Sequence, residues 1–174
     1  LLKHPNFPQD KKILILDIDA HSGNGTLDIL KRNPSFNDRV EFQNFFSLKL
    51  YSGNKATSKA KQPIPCVKQT LFSKPVGREH KTKVLDNIHK ALTEEVGYVM
   101  VSFGLDGHHA DQLCSGTLNY ENSFYTDLIT LLKEQMGANF TLVLEGGYNP
   151  QVIKTVTEEA LNTLDENNNN NEYR

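Results

Sequence analysis

The sequence from Ile13 to Thr26 reads ILILDIDAHSGNGT, in which four apolar residues lead into two carboxylates, an imidazole and a Gly-containing loop. An uninterrupted apolar run of this length is typical of a strand that is covered on both faces, as in a parallel sheet. In open parallel sheets the ligand crevice lies beyond the carboxyl ends of the strands. We therefore expect the polar residues that follow this run to lie at a functional site.

A metal site is the first hypothesis for these residues. Asp19 and His21 are two positions apart, so their side chains project to the same side of an extended backbone. A carboxylate and an imidazole are two of the three protein ligands of a catalytic zinc site, which keeps a fourth position open for water. Asp106 follows a later apolar run, residues 98–103, and is the candidate for the third ligand. The sequence thus predicts a divalent cation held by Asp19, His21 and Asp106.

Strand and helix patterns alternate along the rest of the chain. Apolar runs predict strands within residues 40–50, 98–103 and 140–144. Helical spacing of apolar residues predicts helices within 26–32, 81–95, 124–137 and from residue 150 onward, with Gly97 and Gly137 as helix ends and Asn149 as an N-cap. Residues 51–79, which contain three prolines and several lysines, are predicted to form a long loop. This alternation predicts an α/β fold of three layers, with a mainly parallel sheet and helices on both faces.

Composition narrows the class of protein. The 174 residues carry a net charge of −2, which gives no electrostatic reason to expect direct nucleic-acid binding. The apolar runs are far shorter than the ~20 residues that cross a bilayer, so we expect no membrane association. Two cysteines, Cys66 and Cys114, favour a reducing, intracellular location. We predict one domain over residues 1–164 and a disordered tail over 165–174, which contains five consecutive asparagines.

Three segments of the chain resemble motifs of the zinc-dependent histone deacetylase family, and they occur in the same order. This family includes the acetylpolyamine amidohydrolases and has an arginase-like α/β fold. Residues 17–26, DIDAHSGNGT, are similar to D-x-D-x-H-H-G-N-G-T. Residues 101–111, VSFGLDGHHAD, are similar to V-S-A-G-F-D-A-H-x-x-D, and residues 144–149 match L-E-G-G-Y-N. Each motif alone is weak evidence for the resemblance, whereas three of them at predicted strand ends are specific evidence.

The resemblance implies a role for the matched residues. Asp19, His21 and Asp106 match the metal ligands, and Tyr148 matches the catalytic tyrosine whose hydroxyl donates to the carbonyl oxygen as it becomes a tetrahedral oxyanion. The implied reaction is hydrolysis of acetyl-lysine, in a histone or another protein, or of a related acetylated amine such as a polyamine. Zn²⁺ is the implied cofactor, although oxygen-rich sites accept other divalent ions. Subunits of chromatin complexes are candidate partners. The implied location of the protein is the nucleus or the cytoplasm.

Two further sites are implied by the same resemblance. Gly146 and Gly147 would let the backbone approach a narrow channel for the acyl-lysine. Asp17 matches a residue that binds a structural monovalent cation, such as K⁺, beside the zinc. Ser47 and Leu48 resemble the other part of that cation site, although this local match is much weaker.

The sequence also departs from the family pattern. The second His of the first motif is Ser22, and the D-P-L-G that usually follows the second motif is absent after Asp111. The family's general-base histidine pair precedes the first metal motif. The sixteen residues before Asp17 in this sequence contain a single histidine, His4. We therefore expect a partial domain, equivalent to roughly the second half of the family's domain: a truncated gene model, a fragment or a catalytically impaired relative. The alternative function is a deacetylase-like pseudoenzyme or interaction module that lacks this base.

Other interpretations fit fewer residues. An arginase-like site with two manganese ions needs carboxylates where this chain has Gly23 and His108. An aspartyl phosphatase would use Asp17 in a nucleophile loop, but it would leave Asp106 and the Gly-Gly-Tyr turn unexplained. The adjacent His108 and His109 are also considered as an acid–base pair, against the alternative that they are nonessential.

Overall fold

The computed structural model describes residues 1–47, 64–72, 78–112 and 118–165. Within these residues, five strands alternate with four α-helices and one short 3-10 helix, Pro34–Phe36. The strands are β1 (Lys12–Asp17), β2 (Val40–Ser47), β3 (Val67–Phe72), β4 (Val96–Phe103) and β5 (Phe140–Leu144). The helices are α1 (Asn24–Arg32), α2 (Arg78–Ala91), α3 (Asn122–Met136) and α4 (Pro150–Asp165). No helix of the described ranges combines the length and the apolar character that a membrane crossing requires.

The strands form one sheet in the order β3-β2-β1-β4-β5, and every neighbouring pair is parallel. Asp17, the last residue of β1, is level with Asn44 of β2 and Ser102 of β4. Phe103 of β4 is level with Leu144 of β5. The loops that follow β1, β4 and β5 therefore start at the same edge of the sheet, as expected for the crevice.

Helices cover the sheet on both faces, which confirms the three-layer prediction. Because side chains alternate along a strand, Leu14 and Leu16 point to one face and Ile15 to the other. The larger core contains Leu14 and Leu16 together with buried residues of α2, α3 and α4. The smaller core packs Leu30 of α1 against Phe42 of β2, with Ile15 beside them. This division places α1 on one face and the other three helices on the opposite face.

Strand β3 corrects the prediction of an uninterrupted loop over residues 51–79. Residues 67–72 pair with β2 from Phe42 opposite Val67 to Ser47 opposite Phe72. Lys68, Gln69 and Leu71 are exposed on this outer strand, so its sequence, VKQTLF, lacks the apolar run that marks the central strands. Residues 51–63 and 73–77 of the predicted loop lie outside the described residues, as do the last three residues of the strand predicted at 40–50.

The helix predicted at 81–95 is also corrected. Helix α2 starts at Arg78 and ends at Ala91, and Gly97 lies inside β4 rather than at a helix end. Glycine is needed at this position because a Cβ there would lie 2.7 Å from Cβ of Lys11, which is closer than a normal contact.

The other helix boundaries follow the sequence. Gly137 has a φ of +58° and caps the end of α3, as predicted. Asn149 Oδ1 accepts hydrogen bonds from the backbone N–H groups of Gln151 at 2.9 Å and Val152 at 3.4 Å, so Asn149 caps α4 as predicted. Helix α4 ends at Asp165, and the rest of the predicted tail lies outside the described residues. The division into a domain over 1–164 and a tail over 165–174 stays a prediction.

Candidate metal centre

The loops after β1 and β5 enclose a polar cavity of about 530 Å³ at the carboxyl edge of the sheet. Its walls include Asp17, Asp19, His21, Gly146 and Tyr148. A larger cavity of about 760 Å³ lies between β5 and α4, but it is mostly apolar and contains none of these residues. The polar cavity is therefore the candidate site.

Three predicted ligands converge at this cavity. His21 Nδ1 lies 2.8 Å from Asp106 Oδ2 and 3.0 Å from Asp19 Oδ1, and one donor atom from each residue lies within 4.8 Å of the others. Asp106 is fully buried, whereas Asp19 and His21 are partly exposed toward the cavity. Two carboxylates and a neutral imidazole carry a charge of about −2, which a divalent cation would balance.

Backbone groups orient both carboxylates. Asp106 Oδ1 accepts a hydrogen bond from the Ala20 N–H at 2.9 Å, which leaves Oδ2 directed at His21. Asp19 Oδ1 accepts from the His21 N–H at 2.8 Å, and Asp19 Oδ2 accepts from the Gly146 N–H at 3.0 Å. Such partners commonly orient metal ligands. The ligand set and its supporting bonds therefore fit a divalent metal.

The electrostatics of the site agree with this interpretation. Burial raises the pKa of Asp106 above its ordinary value, and the neighbouring Asp19 carboxylate raises it further. Two carboxylates that face each other in a buried site disfavour one another's charge, whereas a cation between them favours both charged forms. A bound divalent ion would therefore relieve a repulsion that the fold creates.

Gly146 provides space for the two carboxylates. A Cβ at this position would lie 2.5 Å from Asp19 Oδ2 and 2.8 Å from Asp106 Oδ2. Both distances are shorter than any normal contact, so a side chain would displace the ligands. Gly147 has a φ of +144°, and its Cβ would lie 2.9 Å from Cβ of Leu105, so the backbone conformation there also needs glycine. The predicted role of both glycines in a substrate channel stays a prediction.

We expect Gly146→Ala to lower the zinc affinity of the site by about 10- to 100-fold, the size of effect that follows disturbance of groups supporting a metal ligand. Zinc competition with a chromophoric chelator would measure it. Gly25→Ala is the matched control, because Gly25 borders the same cavity and a Cβ there would contact nothing within 4 Å. Equal affinities for the two variants would show that the close approach of Gly146 does not constrain the ligands.

The predicted monovalent-cation site is described only in part. Asp17 is buried, and this burial raises its pKa to about 7. Its Oδ1 accepts a hydrogen bond from the Asp19 N–H at 3.2 Å. Ser47 is buried, and its N–H donates to the Ala20 carbonyl at 3.0 Å, so the end of β2 is joined to the loop of the metal ligands. Leu48 lies outside the described residues, and the cation site stays a prediction.

Tyr148 lies on the loop between β5 and α4, beside the cavity that Asp19 and His21 also border. Its side chain is 53% exposed, as a residue that meets a substrate from solvent would be. The backbone N–H of Tyr148 donates to Asp111 Oδ2 at 2.7 Å. Asp111 is the last residue of the second motif, and the sequence predicts no role for it. Its contact with Tyr148 spans 37 residues of sequence, which no local pattern reveals.

The two adjacent histidines have separate surroundings. His108 is buried, and its Nδ1 accepts a hydrogen bond from the Ala110 N–H at 3.1 Å. The proton of a neutral ring is then on Nε2, which donates to Asn122 Oδ1 at 2.9 Å. Burial lowers the pKa of His108, which favours this neutral form. His109 Nδ1 contacts the Tyr120 carbonyl at 3.0 Å. These contacts favour a structural role over an acid–base pair.

Comparison with known proteins agrees with the geometry. A family model described as the histone deacetylase domain matches residues 5–164. Histone deacetylase 15 of Arabidopsis thaliana is 27% identical over an alignment of 163 residues that covers 88% of this chain and 28% of that protein.

Two solved structures have the same fold. The crystal structure of the HDA15 HD domain aligns with a TM-score of 0.72 and 23% identity, covering 91% of this chain and 46% of that one. The histone deacetylase Clr3 aligns with a TM-score of 0.73 and 21% identity, covering 94% of this chain and 28% of that one. The chain therefore spans less than half the length of each of these relatives. Because the family model covers nearly all of its sequence, the chain belongs to the histone deacetylase family.

Proposed function

We propose that this chain supplies the metal centre and the catalytic tyrosine of a deacetylase. The substrate would be acetyl-lysine in a histone or another protein, or a related acetylated amine such as a polyamine, and the products would be acetate and the free amine. The observation that carries the proposal is the convergence of Asp19, His21 and Asp106 to within 4.8 Å beside the cavity that Tyr148 borders. Family membership supports hydrolase chemistry at this position.

Asp19, His21 and Asp106 would hold the metal. When bound, a divalent ion such as Zn²⁺ acts as a Lewis acid toward the substrate carbonyl and lowers the pKa of the attacking water. The oxygen-rich ligand set also accepts other divalent ions. The backbone N–H groups of Ala20 and Gly146 keep the two carboxylates oriented, so little reorganisation is needed during the reaction.

Tyr148 would act on the substrate oxygen. Its phenolic O–H can donate a hydrogen bond to the carbonyl oxygen, and this bond strengthens as negative charge develops on that oxygen. An interaction that is stronger in the transition state than in the bound substrate raises the rate of the chemical step. The position of Tyr148 beside the cavity that Asp19 and His21 also border is consistent with this role.

We further propose a monovalent-cation site, a substrate channel and protein partners. Asp17, Ser47 and Leu48 would contribute to a K⁺ site beside the divalent metal, and the burial of Asp17 supports a structural place for that ion. Gly146 and Gly147 would border the acyl-lysine channel. We also propose subunits of chromatin complexes as partners, because histone acetyl-lysine is one of the proposed substrates.

The proposal is tested by assaying the full-length protein, stripped of metal and then reconstituted with Zn²⁺. We expect acetate release from an acetyl-lysine peptide or an acetylated polyamine, loss of this activity in chelator, and recovery with Zn²⁺. Comparison of the two substrates distinguishes protein from polyamine specificity. Metal binding without acetate release from either substrate would contradict the enzymatic proposal and support the deacetylase-like pseudoenzyme or interaction module.

A further inference from the structure

We propose that Asp111 is a positioning residue for Tyr148, and this inference rests on the proposed function. Asp111 is fully buried and lies on the segment between β4 and α3 that also carries Asp106. Its Oδ2 accepts hydrogen bonds from the backbone N–H of Tyr148 at 2.7 Å and of Asn149 at 3.2 Å. A buried carboxylate is costly unless hydrogen bonds compensate its lost hydration, and bonds to an ionised acceptor are stronger than neutral ones. The carboxylate thus holds the backbone of the tyrosine itself.

The loop that carries Tyr148 is held at both ends. At its start, the Gly146 N–H donates to Asp19 Oδ2 at 3.0 Å, and the Gly146 carbonyl accepts from the Leu105 N–H at 2.6 Å. At its end, Asp111 accepts its two backbone bonds, and Asn149 Nδ2 donates to the Ala110 carbonyl at 2.8 Å. Tyr148 lies between these attachments, so its Cα position is set relative to the metal ligands.

The segment that holds this loop is itself anchored to the helices. The Asp111 N–H donates to the His108 carbonyl at 3.0 Å. The His108 ring contacts Asn122 at the start of α3, and Asn122 Nδ2 donates to Glu159 Oε1 of α4 at 2.8 Å. Asp106 and Asp111 therefore belong to one anchored loop that contacts the metal site at Asp106 and the tyrosine at Asp111.

Backbone placement has a direct consequence for Tyr148. More than half of the Tyr148 side chain is exposed, so packing alone constrains it little. A displacement of about 1 Å at a catalytic group can reduce a rate about 100-fold. Removing the acceptor at Asp111 should therefore impair Tyr148 without removing any metal ligand.

The variants Asp111→Ala and Asp111→Asn separate geometry from charge. Both backbone bonds end on the same carboxylate oxygen, so an amide oxygen in that place can accept both, whereas alanine accepts neither. In the full-length, zinc-loaded protein we expect Asp111→Ala to lower kcat about 10- to 100-fold, with KM and zinc affinity changed less than about threefold. Asp111→Asn should recover most of the loss. If Asp111→Ala does not fold, Asp111→Leu, which also lacks an acceptor, replaces it in the same comparison.

Two further measurements distinguish positioning from a general loss of structure. Amide hydrogen exchange at Tyr148 and Asn149 should accelerate at least about tenfold in Asp111→Ala, while the Leu105 amide, which donates to Gly146, should keep its protection. In a Tyr148→Phe background, Asp111→Ala should lower kcat by no more than about threefold, because the group that Asp111 positions is already absent.

The outcomes are distinct. Unchanged exchange at Tyr148 and Asn149, an equal loss of kcat with and without the Tyr148 hydroxyl, or a parallel loss of zinc affinity would each overturn the positioning role. If the unsubstituted protein releases no acetate, the proposed function fails, and the exchange experiment still decides whether Asp111 holds the Tyr148 backbone.

Discussion

Asp106→Ala is expected to abolish zinc binding and acetate release together. Asp106 is fully buried, one of its oxygens faces His21 Nδ1 at 2.8 Å, and the other accepts the Ala20 N–H at 2.9 Å. Its removal would leave Asp19 and His21 of the three candidate ligands and would also free the Ala20 N–H between them. Loss of a supporting group costs about 10- to 100-fold in metal affinity, so loss of a ligand should lower the affinity by more than about 100-fold.

The measurement is zinc stoichiometry and affinity in the purified variant, beside its rate of acetate release. Asp106→Asn separates the effect of the lost charge from that of the lost backbone bond. An amide can keep the Ala20 bond but lacks the negative charge that attracts the cation. We expect it to bind zinc more weakly than the unsubstituted protein and to fold normally. Asp28→Ala is the control, because Asp28 is a surface carboxylate of α1 that pairs with Arg32. Stoichiometric zinc binding by Asp106→Ala at unchanged affinity would refute the assignment of the metal centre.

Tyr148→Phe is expected to lower kcat by about 100- to 1,000-fold, the range found when one donor to a developing oxyanion is removed. The substitution deletes a single hydroxyl, and Tyr148 contributes no atom to the group of candidate ligands. Zinc affinity should therefore stay unchanged, and KM should change little, because the lost bond strengthens only as charge develops on the substrate oxygen.

Steady-state kinetics on an acetyl-lysine peptide would check this prediction, with zinc affinity measured in the same samples. Tyr98→Phe provides a matched control, because the Tyr98 hydroxyl contacts Thr141 near the amino end of β4, away from the cavity. A kcat for Tyr148→Phe equal to that of the control would exclude the hydroxyl from the reaction. A coupled loss of zinc would instead assign Tyr148 to the integrity of the metal site.

Local sequence patterns predicted four of the five described strands, all except β3. Strands β1, β4 and β5 are marked by apolar runs, and α4 by its N-cap at Asn149. Strand β3 was not predicted, because at the outer position of the sheet it needs no continuous apolar sequence. The sequence predicts Gly97 at a helix end. In the structure Gly97 lies within β4, where close contact with Lys11 explains the glycine. Such contacts between distant segments leave no periodic signal in either segment.

Within the site, local sequence patterns indicate the candidate ligand types and the strand ends that carry them. The spacing of Asp19 and His21 is a local property of an extended backbone, and Asp106 follows an apolar run in which Val99, Val101 and Phe103 are buried. The need for a small residue at Gly146 and the contact between Asp111 and Tyr148 arise from tertiary contacts that no local pattern indicates. The Gly146–Asp19 bond spans 127 residues and the Tyr148–Asp111 bond spans 37, so both depend on which strands are neighbours. Local periodicity specifies which residues are buried, whereas the order of strands in the parallel sheet decides which loops meet.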